Sequence, residues 1–509
     1  MKLYFWIFLA LPIGLLNAQE VPTKHFQKAF GQLDFLSIKM PETTIPNEAN
    51  MGFTGIHYNL KMNDWSYAGV AIYGSATGQR GGFFTLGANL GIQKKFSKNF
   101  FIDSGIHFGG GGGAAAPDGG GAFLLGHANL GYQFPHFSIT AGWSAIDFFD
   151  GGLIQNQQWN AALQIPLSFD YALHASHEKE YPVSAFLPTP WHQKSKKIGM
   201  LLHLNNLNVG SKVANTENAY LNGQTIRLAG FEFDVYLNPQ WFVFLKADGA
   251  YHGIQAGYMD VLMGGGYDFS MNKNRTHFLA KFGFGAGGGG GVDTRGGFLL
   301  YPDFSIEQKI SKEVSLSLNK GYLFTPDQHF FTSTYGMGVK YTAHVNGTES
   351  EIQSFASGKF KGFELSLGQE LYWKAKRGSN PTENLQQISM QLTIELNQHL
   401  YIAGQTSFAN FGNAGAYAEG IVGIGAKTTP LSGLQTSFFT QVLAGAAGGG
   451  DISTQQGLIF KNSYGIDQPL SKTLSVQLSG GFVKSLGGGL NSPILNIGIK
   501  YRFSYLKFQ

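Results

Sequence analysis

The stretch Leu495 to Phe503, LNIGIKYRF, decides the fold class. Its odd-numbered residues are large and apolar, and its even-numbered residues are small or polar. Successive side chains of a β-strand point to opposite faces, so this period of two predicts a strand with one apolar face. The same alternation occurs in residues 86–93 and 138–145. The sequence therefore predicts an all-β protein made of amphipathic strands.

The composition excludes several classes of protein. The chain has 71 Gly, 14% aromatic and only 13% charged residues, which is about half the charge of a typical soluble protein. A net charge of +4, spread along the chain, does not favour a nucleic-acid partner. The absence of Cys removes disulfides, zinc-thiolate sites and thiol nucleophiles. Beyond the N-terminus no run of about 18 apolar residues predicts a membrane-spanning helix.

The first residues predict export. Met1-Lys2 precedes an apolar run, Leu3 to Leu16, and then Asn17-Ala18, the order of regions in a secretory signal peptide. Cleavage after Ala18 would leave Gln19 as the first mature residue. The alternative, an uncleaved anchor, is disfavoured because the apolar run is short for a membrane span.

Alternation alone does not say which face of the strands meets water. A soluble β-sandwich turns its apolar face inward, whereas a membrane β-barrel turns it toward lipid. Strand patterns continue for the whole length without a helix signal, aromatic residues gather near strand ends, and the last strand, Tyr501 to Phe508, is rich in aromatics. These features favour a transmembrane antiparallel up-and-down β-barrel.

Internal repetition predicts three tandem units. Glycine runs at 109–113, 287–291 and 448–450 each end a fifth strand, and Asp118, Asp293 and Asp451 follow them. Each copy divides into eight strands joined by long odd-numbered loops and tight even-numbered turns. The predicted organisation is a signal peptide (1–18), three barrel repeats (19–175, 197–343 and 359–509) and two periplasmic joins (176–196 and 344–358).

Two architectures fit these repeats. A single closed barrel of about 24 strands satisfies every backbone group without leaving sheet edges, and we favour it. The alternative is three separate eight-stranded barrels on one chain, which explains why the joins are longer than the other turns on their side. In both, the long loops face the outside and the turns face the periplasm.

The signal ending Ala18-Gln19, the amphipathic strands, the glycine-rich fifth strand and the aromatic C-terminus resemble outer-membrane β-barrel proteins of Bacteroidota-type Gram-negative bacteria. The resemblance covers the whole mature chain but is generic. It implies a location in the cell outer membrane and a barrel fold. It transfers no functional residues, and the stretch before the first strand is too short for a plug domain.

The glycine runs have three possible interpretations. Gly283, Gly285 and Gly288 fit a GxGxxG string, but the dinucleotide motif requires a following helix, which is absent from the pattern. Residues 288–293 fit a calcium-binding nonapeptide, but that site needs stacked repeats and occurs here once. We favour a structural role, since glycine permits positive φ and close approach of another backbone. The aspartates that follow are then loop or turn formers.

No cofactor and no metal site is predicted. His174 and His177 beside Glu178 are the only close histidine pair, and the HExxH pattern is incomplete because Tyr181 stands where the second His would be. A metal there would need further ligands from elsewhere in the fold. No GxSxG nucleophile motif occurs. A hydrolase would need Ser, His and a carboxylate to meet at one strand end.

The polar face supplies the lumen-facing candidates: Glu232, Asp234, Lys340, Lys500 and Arg502. Their mixed signs do not indicate a strongly ion-selective pore. The leading hypothesis is a non-enzymatic porin-like channel for passive transport, or the membrane component of a larger assembly. The alternatives are a structural or partner-binding protein with a blocked lumen and, less favoured, a lipid-modifying hydrolase. The expected partners are outer-membrane lipid, other envelope proteins and, for a pore, small solutes.

Overall fold

The chain folds into three antiparallel β-barrels of eight strands each, joined in tandem. This computed structural model describes residues 21–42, 45–210, 213, 221, 223–350, 354–430 and 435–509. The predicted signal peptide, residues 1–18, lies outside the described residues. Within them, no helix has the length and hydropathy needed to cross a membrane.

The strands alternate with short connections along the whole chain. The first barrel contains β1 His25–Ile38, β2 Met51–Lys61, β3 Ser66–Thr77, β4 Phe84–Lys95, β5 Phe100–Gly112, β6 Phe123–Gln133, β7 Ser138–Phe148 and β8 Gln155–Leu173. A 3₁₀ turn (His174–Ser176), β9 Glu180–Pro182 and α1 Val183–Phe186 lie in the first join. The second barrel contains β10 Lys196–Val209, β11 Thr225–Tyr236, β12 Trp241–His252, β13 Met259–Met271, β14 Thr276–Gly288, β15 Phe298–Lys309, β16 Val314–Phe324 and β17 Phe331–Val345. The third contains β18 Ser357–Ala375, β19 Glu383–Glu395, β20 Leu400–Phe411, β21 Ala418–Lys427, β22 Ser437–Gly448, β23 Leu458–Pro469, β24 Leu474–Ser485 and β25 Asn491–Phe508.

The closing strand pairs show that each set of eight strands forms its own ring. β8 pairs with β1, from Leu36↔Asn160 to His25↔Tyr171. β17 pairs with β10, and β25 pairs with β18, in the same antiparallel way. The expectation of one barrel of about 24 strands is therefore wrong. A single large ring would pair β8 with β10 and β17 with β18, whereas the long terminal strands of each unit satisfy each other's backbone groups.

The connections give the barrels two different ends. The odd-numbered loops of each barrel lie at one end, which we call the loop side, and the even-numbered turns and both joins lie at the other, the join side. Most even-numbered turns have four residues, such as 62–65 and 237–240. The exception is 428–436, between β21 and β22, which departs from the prediction of tight turns at this end.

The outward faces of the barrels are apolar. In β25, Ile497 and Ile499 are 56% and 58% exposed, whereas Lys500 is only 6% exposed. Leu90 in β4 and Leu318 in β16 are likewise exposed. The alternation predicted from the sequence is thus directed as in a membrane barrel, because a water-soluble sandwich would bury the apolar face and expose the lysine.

The three barrels pack around one apolar centre. Phe84 and Leu86 of the first barrel meet Val261 of the second and Ile388 and Phe408 of the third, all of them buried. In each case the third strand of one barrel lies against the fifth strand of the next: β3 on β14, β12 on β22 and β20 on β5. The ring of contacts closes after three barrels, so the arrangement has the form of a cyclic trimer within one chain.

The glycine runs lie at these contacts between barrels. A Cβ atom on Gly448 would stand 2.5 Å from the Gly257 nitrogen in the neighbouring barrel. One on Gly110 would stand 2.8 Å from the Ala409 carbonyl carbon. A Cβ atom on Gly82 would likewise stand 2.6 Å from the Gly288 carbonyl carbon. Such distances leave no room for a side chain, so the glycine-rich fifth strands allow the barrel backbones to touch.

The join side is tied together by the end of β25 and the first join. Leu506 and Phe508 of β25 are buried with Trp191 and Phe186 of the first join and with Phe360 of β18. Short pairings from the end of β25 reach β8 of the first barrel and β17 of the second. The last strand therefore closes the third barrel and also contacts the first and the second.

Replacement of Gly110 by Val tests the contact between the first and third barrels. The added side chain would overlap the Ala409 backbone, and we expect the free energy of unfolding to fall by about 1–3 kcal/mol. The measurement is urea unfolding of the refolded chain in detergent, followed by tryptophan fluorescence. Gly126→Val is the matched control, because nothing lies within 4 Å of a Cβ at that position. Equal stability of the two variants would contradict the close contact.

Candidate functional site

Charged side chains of the strands collect away from water in the interior of each barrel. Alternation turns one residue in two inward, and the buried polar residues of the strands lie on this inward face. An eight-stranded ring has an interior just wide enough to be filled by side chains. For function, the question is therefore whether these side chains leave a path for solutes through the barrel or fill it.

The second barrel is closed by ion pairs that span its lumen. Lys281 of β14 donates to both carboxylate oxygens of Glu232 on β11, at 3.0 and 2.9 Å. Lys340 of β17 pairs with Asp234 and with Glu307, both at 2.7 Å. These strands are separated around the ring, so the pairs cross the interior and fill it.

The third barrel has two such levels of charge. Lys461 of β23 donates to Glu370 of β18 at 2.7 Å and also contacts Glu419 of β21. Closer to the join side, Lys500 donates to Asp467 at 2.8 Å and to Glu364 at 3.2 Å. Between the two levels, amides, hydroxyls and glycines line a cavity of about 10 Å³. This volume holds about one water molecule.

The first barrel is filled mainly by neutral hydrogen-bonding groups. Tyr73 donates to Asp34 at 2.7 Å, and Tyr67 donates to Asp103 at 3.0 Å. Gln164 reaches the same Asp103 from β8, at 2.7 Å. No lysine is buried in this interior among the described residues, unlike the other two barrels.

Apolar residues close all three barrels on the loop side. Buried clusters combine strand residues with residues of the odd-numbered loops, such as Phe83 and Ile154 in the first barrel, Tyr258 and Phe330 in the second and Tyr417 in the third. A solute entering from this side would therefore meet a packed apolar layer before it reached the charged layer.

The predicted lumen residues take the following positions. Glu232, Asp234, Lys340 and Lys500 are all buried in the ion pairs described above. Arg502 is only partly buried, lies near the join side, and forms no ion pair within the described residues. Of the five predicted residues, the structure thus brings only Asp234 and Lys340 together. Glu232 pairs with Lys281 in the same barrel, and Lys500 lies in the third barrel.

The loop side is held by buried polar contacts. Arg80 is 2% exposed, pairs with Glu48 at 2.6 Å and donates to the backbone oxygens of Ala114 and Ala115. Asp118 accepts from the Gly113 N–H at 2.7 Å. Burial raises the pKa of Asp118 to about 7, although this hydrogen bond and the Arg80 charge act in the opposite direction.

The other two aspartates that follow glycine runs bind different partners. Asp293 accepts from the Arg295 N–H at 2.8 Å and from the His329 ring at 2.8 Å. Asp451 accepts from the backbone and side chain of Asn380, at 2.8 and 2.7 Å. All three positions therefore fix loops, as their place after a strand suggests.

A strap from the first join crosses beneath the third barrel. We use this name for residues 174–182, which follow the first barrel but run along β18. The Glu178 N–H donates to the Phe360 oxygen at 2.8 Å, and β9 pairs with the start of β18. Burial raises the pKa of Glu178, but Lys359 and Lys361, at 2.8 and 2.7 Å, outweigh this and lower it below its usual value.

The histidines of the strap enter the join-side mouth of the third barrel. His174 Nε2 lies 2.9 Å from Glu395 Oε1, and His177 Nε2 lies 3.0 Å from Glu395 Oε2. Glu364 and Lys427 complete the cluster. Sequence reasoning identified the histidines but missed the carboxylates, which lie far away in the chain. Their signal was weak, because neither is the only charged residue of its strand and no motif distinguishes it.

A hydrolytic triad does not form around the serine and histidine that meet on the join side. Ser195 Oγ and His344 Nδ1 are 3.2 Å apart. Within the described parts of the chain, no carboxylate pairs with this histidine, so the group that would orient it is missing.

Comparisons with known proteins give no family. No protein-family model matches the chain, and no curated protein matches it. Solved structures similar to it include a ferric enterobactin receptor, PfeA, of Pseudomonas aeruginosa, with 9% identity over 95% of this chain and 82% of that chain and a TM-score of 0.28. They also include OccK11 (OpdR) of P. aeruginosa (10% identity, 95% and 98% covered, TM-score 0.21) and the alcaligin outer-membrane receptor FauA of Bordetella pertussis (10%, 95% and 77%, 0.26). Similarity this low carries no argument about this chain.

Replacement of Lys461 by Met tests the ion pairs of the third barrel. The change leaves Glu370 and Glu419 buried without a cation, and we expect unfolding free energy to fall by about 3–5 kcal/mol. Urea unfolding in detergent measures the loss, and adding Glu370→Gln and Glu419→Gln should restore most of it. Lys312→Met, in an exposed turn, is the control, expected within about 0.5 kcal/mol of the parent. A Lys461 variant as stable as this control would show that water, not protein, solvates the two carboxylates.

Replacement of Asp118 by Asn tests the buried carboxyl of the loop side. Because the folded pKa is raised above its usual value of about 4, the folded loop favours the protonated carboxyl, and its stability falls as pH rises from about 4 through 7. Hydrogen exchange of residues 113–122, corrected for intrinsic rates, should therefore show more opening at pH 8 than at pH 5.5. The Asn variant should lose this difference, and Asp64→Asn, in an exposed turn, should keep it. A pH difference that survives in Asp118→Asn would exclude this carboxyl as its source.

Proposed function

We propose that this chain is an outer-membrane protein whose three barrels are closed to solutes and which acts as a membrane-embedded platform for binding partners. The observation that carries the proposal is the filling of each lumen, by an apolar layer on the loop side and by paired polar groups below it. The proposal is the blocked-lumen alternative derived from the sequence.

The placement in the outer membrane rests on the direction of the strands' faces and on the predicted signal peptide. The apolar face points outward around barrels whose backbone groups are satisfied within closed rings, which is the arrangement a lipid environment requires. The described chain starts on the join side, where Val21 packs against the buried aromatic cluster. In this proposal the joins and turns therefore face the periplasm and the long loops face the exterior.

A binding role follows from where free surface remains. Side chains in the lumens form hydrogen bonds and ion pairs with one another, and in this proposal the outer faces of the barrels contact lipid. The loop side and the join side are left, and both are held in shape by polar contacts such as Arg80 with Glu48 and the strap on β18. Partners in the envelope would therefore bind at the ends of the barrels. We assign no enzymatic activity.

Conductance measurements separate this proposal from a pore. The refolded chain is inserted into a planar lipid bilayer and, in parallel, into vesicles whose flotation confirms insertion. We expect no single-channel steps in 1 M KCl, a standard high-salt condition, and no leakage of small sugars beyond empty vesicles, because ion pairs cross each lumen. Stable stepwise conductance by the inserted chain would restore the pore hypothesis.

A further inference from the structure

The cluster at the join-side mouth of the third barrel contains the side chains of a metal site. His174 from the strap, Glu364 from β18 and Glu395 from β19 each offer one ligand atom, and these atoms all lie within 4.8 Å of one another. His174 Nε2 is 2.9 Å from Glu395 Oε1 and 3.8 Å from Glu364 Oε1. Two of the three residues are fully buried and the third is partly buried.

These separations suit a small divalent ion. Zinc binds histidine nitrogen and carboxylate oxygen at about 2.0–2.2 Å in a tetrahedral arrangement, which sets neighbouring ligand atoms about 3.4 Å apart. The two separations from His174 lie on either side of that value. The third separation, between the two carboxylate oxygens, is at most 4.8 Å, so the three ligand atoms lie close enough to converge on one ion if the glutamate side chains turn toward it.

Two buried atoms beside these ligands lack the hydrogen bonds that buried polar atoms normally make. His177 Nε2 and Glu395 Oε2 face each other at 3.0 Å, yet neither forms a hydrogen bond within the described structure. The Gly362 N–H donates to His177 Nδ1, so the neutral ring carries its proton on Nε2 and is not itself a ligand. Unsatisfied atoms at a buried site indicate that its arrangement is incomplete.

Lys427 is the competitor for this place. Its ammonium contacts Glu395 and lies 3.6 Å from Glu364 Oε1, so it occupies the position between the carboxylates. With Lys500 and Asp467, which pair next to it, three carboxylates and two ammonium groups leave one uncompensated negative charge. A divalent ion in place of the Lys427 ammonium leaves none. Lys427 is 18% exposed at the end of β21, where its side chain can turn to water.

We propose that this site binds one divalent transition-metal ion of the Zn²⁺ type through His174, Glu364 and Glu395, in exchange for the Lys427 ammonium. The bound ion ties the strap, which follows the first barrel, to two strands of the third. It stabilises the folded arrangement by RT ln(1 + c/Kd), where c is the free ion concentration, so stability rises with the logarithm of the ion concentration once this exceeds Kd. The proposal does not depend on whether the barrels conduct.

The test is metal binding by the full-length chain refolded in detergent, measured by titration calorimetry with ZnCl₂. Co²⁺, whose visible absorption reports tetrahedral coordination, provides a second reading. We expect one ion per chain, an affinity at least about tenfold weaker in His174→Asn and in Glu364→Gln, and one about tenfold tighter in Lys427→Met. His192→Asn is the matched control, since this exposed histidine lies in the same join and should leave the affinity unchanged.

Heat-modifiable migration on gels confirms that each variant has folded before it is titrated. Equal zinc affinity of the parent, His174→Asn and Glu364→Gln would place the ion elsewhere and overturn the proposal. An unchanged affinity in Lys427→Met would overturn the exchange with the ammonium. The absence of binding in both the parent and Lys427→Met would show that the cluster is an ion-pair network only.

Discussion

The rest of the structure depends on the narrow interior of an eight-stranded ring. A ring of this size has no room for bulk water, so each inward charge needs a partner among the other inward side chains. Lys281 with Glu232 and Lys461 with Glu370 meet this requirement, and their strands lie apart around the ring. The pairs connect strands that share no backbone hydrogen bonds, so they also fix the shape of the barrel. The closure to solutes that we propose rests on the same contacts.

The association of the barrels has a different physical basis. Lipid is as apolar as the outward strand faces, so burial of those faces gives little driving force, and close packing has to replace it. The glycine-rich ends of β5, β14 and β22 permit such packing because they let a neighbouring backbone approach. Covalent linkage favours it further, since barrels on one chain meet at a high effective concentration. The joins and the end of β25 then hold the three units on one side.

The sequence predicted what depends on local pattern. Alternation along residues such as Ile497, Ile499 and Lys500 predicted the strands, and the continuous strand pattern with aromatic strand ends favoured an outward apolar face. The glycine runs do end the fifth strand of each barrel. The number of barrels was predicted wrongly. The hairpins of one large barrel and of three small ones are identical, and only the pairing partners of β8, β17 and β25 differ. The cluster at His174 was also out of reach, since its carboxylates, Glu364 and Glu395, come from a barrel two units further along.

The strap breaks the threefold arrangement and gives the join side one distinct place. Among the described residues, only the third barrel receives histidines from another unit at its mouth, and its interior also has the small uncharged cavity above that level. The strap is bound through β9 and Glu178 to the first residues of β18, so the His174 cluster lies beside the closing pair β18–β25. The walls of the three barrels are alike, so the strap is a feature that distinguishes the join side of the third barrel from that of the other two.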